Sequence, residues 1–423
     1  MAHEVFCEKC GELEGYIFTP DMNFEYGRVV IDNYVIKSVE YFEPADSTMP
    51  RIISCEDAGR IILGQEISAP IIIPGLVDVH LHGANGYDIC DADCRSLAGI
   101  CDYERQSGIA AFIGATMTLP VTELENICNA YNKLCLYKNC SSITNDDIKP
   151  YAGFEGLFLE GPFISKNRCG AQNPQNAIAP DYEIVKRLND LSGGIIRKVL
   201  VAPEIEGAER LTKEIVMSTK TKGTRCVMST NDRHNCENNT ILNVNITLGH
   251  TDCDYNTAST IIAMGANQVT HMYNAMPPFD KREPGLIGAA LDNDCYMELI
   301  CDGVHVHDSV IRATFNMVSE DKIVLVSDST MATGLLDGPA TLGGTPVSVV
   351  TADGVRRVEL MNGTIAGSAT NLFDCMIHAI KIGVPVDKAI VAATVNPATS
   401  VQLDDFYGRI DEGKCGIVNI FRT

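Results

Sequence analysis

Eight short apolar runs that close on polar residues, helix-compatible stretches between them, and β-branched segments at opposite ends of the chain together predict an α/β fold. The class they define is a (β/α)8 barrel of the TIM type with a small β-sandwich domain formed from both chain termini. The 423-residue length is compatible with that division, because a barrel of this kind absorbs roughly 250 residues or more.

The terminal pieces come first. Residues 26–39, YGRVVIDNYVIKSV, read as β-branched strands around an Asp32-Asn33 turn, and residues 408–420, GRIDEGKCGIVNI, read alike. Neither is large enough to fold alone. Residues 1–73 and 400–423 are therefore expected to pair into one β domain, with 74–399 forming the barrel.

Strand candidates for the barrel are 71–82 (IIIPGLVDVHLH), 110–118 (AAFIGATMT), 156–162 (GLFLEGP) and 198–204 (KVLVAPE). The series continues with 242–251 (LNVNITLGHT), 267–274 (NQVTHMYN), 296–305 (YMELICDGVH) and 322–329 (KIVLVSDS). Near-continuous apolar strands alternating with helices, such as those expected over 181–190 and 308–320, indicate a parallel sheet covered on both faces. The polar, Asn-rich stretch 218–240 reads as a surface excursion before the fifth strand.

Composition narrows the function. Hydrophobic residues at 45% and charged residues at 21% describe a globular chain. A net charge of −22, with no cluster of basic residues, argues against nucleic acid or an anionic membrane as partner. A small anionic ligand in a locally positive pocket stays compatible with it. The apolar stretch from Ile67 to Val77 is broken by Pro70, Pro74 and Gly75, so no membrane span is expected. Residues 1–20 show no apolar signal core, and the 17 cysteines are irregularly spaced, so reduced thiols in a cytoplasmic protein are expected. Cys7-x-x-Cys10 lacks a second pair that would complete a zinc knuckle.

Six of the nine histidines, at positions 80, 82, 250, 271, 305 and 307, sit at the polar ends of apolar runs. In an extended segment side chains alternate, so His80 and His82 share one face and suit two nitrogen ligands on one metal. Glu160 ends its strand before Gly161-Pro162, His250 closes the fifth candidate, His271 lies on the sixth, and Asp328 closes the eighth. Each alone has a mundane explanation: a strand-end histidine is more often a satisfied polar residue, and Val-Ser-Asp-Ser is an ordinary helix cap. Together they fall at the C-terminal ends of separate strands, where barrels of this class carry function. Imidazole and carboxylate donors suit Zn²⁺ first, with Fe²⁺, Co²⁺ or Mn²⁺ also compatible.

With these residues stand longer segments: PGLVDVHLHGANGYD (74–88), LEGPFI (159–164), GHTD (249–252), THMYNAMPPFDKREPG (270–285), DGVHV (302–306), VSDS (326–329) and GTIAGSATN (363–371). On them the chain resembles the metal-dependent amidohydrolase superfamily, and within it the N-acetylglucosamine-6-phosphate deacetylases. The resemblance implies that Glu160, His250 and His271 hold the catalytic divalent ion, and that His80 and His82 bind a second, a pair that some deacetylases lack. It implies Asp328 as the catalytic carboxylate, and Asn274, Ala275 and Arg282 as the sugar-phosphate contacts. Asp302, Gly303, Val304 and His305 would meet the sugar hydroxyls, and Ile365, Ala366 and Gly367 would close over the substrate. It also implies a homodimer.

One segment departs from that pattern. Where the family commonly has histidine in Gly-x-His-Asn-Pro, this chain reads Gly170-Ala171-Gln172-Asn173-Pro174. Gln172, beside Ala171, is expected to contact the acetyl group through its amide, which donates but carries no proton or positive charge. The activity implied is release of acetate from N-acetylglucosamine 6-phosphate. The alternatives are the same centre acting on N-acetylgalactosamine 6-phosphate, a cyclic amide or an acylated amino acid, or a non-catalytic scaffold on the same barrel.

Overall fold

The computed structural model describes residues 2–66, 69–136, 153–220, 244–352 and 354–422. Its centre is an eight-stranded parallel sheet in strict chain order. The first four strands are Leu76–Leu81, Ile109–Thr116, Gly153–Leu159 and Ile196–Val201. The last four are Asn245–Leu248, Gln268–Val269, Tyr296–Ile300 and Ile323–Val326. A helix follows each of them, from Cys94–Gln106 after the first to Leu372–Lys381 after the eighth, completing the (β/α)8 order.

The seam between the eighth and first strands is joined at its C-terminal end. The amide of Asp328 donates to the His80 carbonyl at 2.9 Å, and that of His82 to the Ser329 carbonyl at 2.7 Å. Residues predicted to carry chemistry thus close the barrel themselves. Inside it, Val77, Val79, Ile113, Phe158, Leu200 and Val326 form a buried core. The surrounding helices start where the sequence supplies an acceptor: Asp93, Asp181, Asp254 and Asn371 each cap a helix through the side chain. Those expected over 181–190 and 308–320 run Tyr182–Leu191 and Asp308–Met317.

The apolar run 71–82 is two strands, not one. Ile71–Pro74 belongs to the terminal sheet and Leu76–Leu81 to the barrel, with Gly75 between them. A Cβ at Gly75 would stand 2.6 Å from that of Ala110 and 2.7 Å from the Ile417 carbonyl, so only glycine passes between the domains there. The terminal sheet has seven strands, and its last, Val418–Arg422, lies between Ala2–Phe6 and Ile71–Pro74, antiparallel to both. One face packs Leu13, Val29, Ile72 and Ile420. On the other, Tyr16, Phe24, Ile73 and Phe421 join the main core.

Two further differences stand out. The sixth strand, expected over 267–274, stops at Val269, because His271, Tyr273 and Ala275 adopt positive φ (30°, 78° and 52°) and turn the chain away. A three-stranded antiparallel sheet, Gly338–Leu342, Thr345–Ala352 and Val355–Leu360, is inserted between the eighth strand and its helix. Of the stretch 218–240, the helix Ala208–Lys220 takes the beginning, and residues 221–240 lie outside those described. Among the described residues thirteen cysteines are free thiols, and no helix is long and apolar enough to cross a membrane.

Candidate metal centre

Glu160, His250, His271 and Asp328 lie one or two residues past the ends of strands three, five, six and eight. Three of the four are in the left-handed region, with φ of 43° at His250, 30° at His271 and 50° at Asp328. A non-glycine residue held there costs on the order of 1–3 kcal/mol and persists only where its surroundings impose it. His80 and His82 belong to the first strand and its end.

The side chains converge as two buried groups, His80–His82–Asp328 and Glu160–His250–His271. Glu160 joins them. Its Oε1 lies 3.3 Å from His250 Nε2, 3.1 Å from His271 Nε2 and 3.5 Å from His80 Nε2, while its Oε2 lies 3.0 Å from His82 Nε2. Asp328 Oδ1 stands 3.5 Å from both His80 Nε2 and His82 Nε2.

The ring tautomers follow from their outer partners. His82 Nδ1 meets the Ala115 carbonyl at 3.2 Å and His250 Nδ1 the Arg168 carbonyl at 2.9 Å; a carbonyl only accepts, so both nitrogens donate. His80 Nδ1 donates to Glu298 Oε2 at 3.0 Å. In the neutral form of all three rings the Nε2 lone pair therefore faces the carboxylates, and His250 Nε2 lies 3.0 Å from His271 Nε2. His80 Nε2 is buried with no hydrogen-bond partner among the described residues. Buried acceptors crowded against acceptors are repulsive unless a cation lies between them, and anchoring through the far ring nitrogen is how ligating histidines are held. The donor set thus fits one or two divalent ions.

The charges agree. With no cation, burial opposes a charge on His80, yet Glu160 and Asp328 outweigh it and push the ring up to about 10. Burial likewise opposes ionisation of Glu160, but the histidines around it hold the carboxyl well below the usual range. Protons and metal thus compete for the same lone pairs.

Above the clusters opens a cavity of about 390 Å3. His82, Glu160, His250, His271 and Asp328 line its floor. Its walls include Ala171 and Gln172, Asn274 and Ala275, His305, and Ile365 and Gly367. His80 lies fully buried beneath. Asp302 reaches the cavity only through His305, whose Nδ1 it holds at 2.7 Å; burial disfavours the charged ring, but that carboxylate raises its pKa on balance. Gly303 and Val304 form the turn, with the Val304 amide donating to Asp302 Oδ1 at 2.9 Å, and Ala366 is packed in the core of the inserted sheet. Arg282 is on the exposed stretch 278–283, outside the cavity wall.

Gln172, in the cavity wall, has partners that the sequence did not indicate. Its Nε2 donates to Glu160 Oε2 at 2.6 Å and its Oε1 accepts from the Thr118 amide at 2.6 Å, so the amide braces the Glu160 carboxylate. Three features escaped the sequence reading. Glu298 and Lys198, fully buried beneath His80, read as members of apolar strands. Leu342, on the inserted sheet, supplies part of the cavity wall. The signal for that sheet was Gly343-Gly344 between alternating runs, a hairpin turn in which both residues take positive φ.

Fold and site define a metal-competent barrel hydrolase of the amidohydrolase family, and the chain belongs to that family, whose model matches residues 71–421. Within it the chain groups with the N-acetylglucosamine-6-phosphate deacetylases. The Bacillus subtilis (strain 168) enzyme of that name is 34% identical over 321 residues, covering 74% of this chain and 72% of the relative. The chain is also similar to the N-acetylgalactosamine-6-phosphate deacetylase of Escherichia coli O157:H7, at 26% identity over 82% of this chain and 83% of the relative. Among solved structures, the N-acetyl-D-glucosamine-6-phosphate deacetylase of Mycobacterium smegmatis superposes with a TM-score of 0.77, at 26% identity over 96% of this chain and 94% of that one.

Proposed function

We propose that this protein hydrolyses the acetamide of N-acetyl-D-glucosamine 6-phosphate to D-glucosamine 6-phosphate and acetate. The observation that carries the reading is the convergence of four imidazoles and two carboxylates, all buried, at and just beneath the floor of one cavity. The 34% identity to a deacetylase of that specificity names the substrate.

A bound divalent cation, zinc by its fit to imidazole and carboxylate donors, would supply an acidified water and a polarised acetyl carbonyl. Glu160, His250 and His271 would hold one ion, and His80, His82 and Asp328 the other. Asp328 accepts the proton of the attacking water and returns it to the departing amine, which is otherwise a poor leaving group. His305, its Nδ1 held by Asp302, turns its other nitrogen to the sugar hydroxyls. Gln172 holds Glu160 in place beside the acetyl end. Asn274 and Ala275 border the phosphate end, and Arg282 supplies a guanidinium whose planar fork suits phosphate oxygens. A homodimer, which the family resemblance implies, would have the exposed Phe279, three residues before Arg282, as one apolar side chain to cover. Free thiols fit a reducing compartment, the cytoplasm.

The relative acting on the galactosamine epimer keeps a second reading in view. Comparison of kcat/KM for the two N-acetylhexosamine 6-phosphates and for unphosphorylated N-acetylglucosamine decides. The glucosamine ester is expected to lead both. A lead for the galactosamine epimer, or no benefit from the phosphate, would overturn the assignment.

A further inference from the structure

Beneath the cavity, Glu298 occupies the middle of the seventh barrel strand, Tyr296–Ile300, fully buried and out of reach of any ligand. Its four acceptor positions are all taken. Oε2 receives His80 Nδ1–H at 3.0 Å and the His271 amide at 3.3 Å; Oε1 receives Gln268 Nε2 at 2.7 Å and the Lys198 ammonium. Lys198 is as deeply buried, donating also to the Val79 carbonyl at 3.2 Å and lying 4.1 Å over the face of Phe158. Burying an ion pair costs several kcal/mol per charge before its attraction offsets it, and here the pair lies in a barrel whose buried core includes Val77, Val79, Phe158, Leu200 and Val326. Packing alone gives no reason for it. The pair does touch a ligand residue of each cluster, the ring of His80 and the backbone of His271.

We propose that Glu298 is a positioning residue that, with Lys198, fixes the ring and tautomer of His80 and so enables the His80–His82–Asp328 cluster to hold a second cation. The inference rests on the metal-centre reading above. An anionic Glu298 accepts only a donor, which places the His80 proton on Nδ1 and the lone pair on Nε2, toward Glu160 and Asp328. A neutral amide at this position breaks the arrangement. In Glu298→Gln the Lys198 ammonium claims the amide oxygen, leaving the NH2 group toward His80. His80 must then accept through Nδ1 and carry its proton on Nε2, where it no longer ligates. Lys198→Met releases the amide to turn its oxygen to His80. Gln268 can accept the NH2, because its own Oε1 has no partner among the described residues.

The test measures zinc content and affinity, by elemental analysis and competition with a chromophoric chelator, alongside melting of the metal-free proteins. Wild type is expected to hold two ions. Glu298→Gln should weaken the second by roughly 10–100-fold, the usual effect of losing an outer partner of a ligand. Lys198→Met/Glu298→Gln should recover it, a reversal that a merely structural role would not produce. Undiminished second-ion affinity in Glu298→Gln, or no recovery in the double variant, overturns the inference. If the single variant does not fold, the double variant decides alone, two ions supporting and one refuting. Wild type holding one ion sinks this inference and leaves the metal centre standing; wild type holding none sinks the metal centre itself.

Discussion

Gln172 donates from its side-chain amide to Glu160 at 2.6 Å, and the Glu160 oxygen that receives it is the one facing His82. The opposite oxygen faces His250 and His271. A single carboxylate is therefore shared between two nitrogen clusters and steadied from the side by an amide. Replacing Gln172 with alanine removes that brace and leaves the buried Thr118 amide without its acceptor. Steady-state kinetics of Gln172→Ala should show kcat lowered by roughly 10–100-fold with KM little changed. Unchanged kcat would contradict the brace.

Asp328 Oδ1 stands 3.5 Å from Nε2 of both histidines of the first strand, and the proposed function gives this carboxylate the proton transfer. Asp328→Asn should fold, retain an ion at Glu160, His250 and His271, and lose about 10²–10⁴-fold in kcat. Substantial turnover would refute the proton-transfer role.

The proposed function assigns Arg282, on the exposed stretch 278–283, to the phosphate of the substrate. Arg282→Ala should raise KM for the phosphorylated sugar on the order of tenfold and leave an unphosphorylated analogue unaffected. Equal losses on both would remove the arginine from phosphate recognition.

Away from the site, Glu104 is 1% exposed on the helix Cys94–Gln106, and neither carboxylate oxygen has a partner among the described residues. Burial, reinforced by the nearby charge of Asp78, raises its pKa well above the ordinary carboxyl value. The folded state then binds the proton more tightly than the unfolded one. Its stabilising contribution is complete below the unfolded pKa of about 4.5 and lost as pH rises through the folded value, at about 1.4 kcal/mol per pH unit while the two states differ. Glu104→Gln should raise the melting temperature above neutral pH and flatten that dependence; a lower melting temperature at pH 8 would show that the ionised carboxylate stabilises the fold.

The sequence was legible where chemistry coincides with a local pattern. The alternation in His80-Leu81-His82 and the polar residues ending apolar runs at Glu160, His250, His271 and Asp328 mark strand ends whatever the tertiary partner. Glu298 was not legible. Within Tyr296–Ile300 it is one acid in an apolar strand, and its meaning lies in His80, 218 residues away. Gln172 showed its departure in sequence but not its partner, since a side chain in a loop can turn to substrate or to protein. The interruption at Pro74-Gly75 and the domain boundary beside it were legible, but not the reason only glycine fits, which is the close approach of Ala110 and Ile417.

The central claim is that the buried imidazoles and carboxylates serve acetamide hydrolysis through a divalent ion. The most direct measurement is acetate release from N-acetylglucosamine 6-phosphate by the protein as purified, after chelation, and after Zn²⁺ is restored. Activity that is lost on chelation and returns with the metal is predicted. Full activity in protein shown to be metal-free, or no acetate from the zinc-loaded protein, would contradict it.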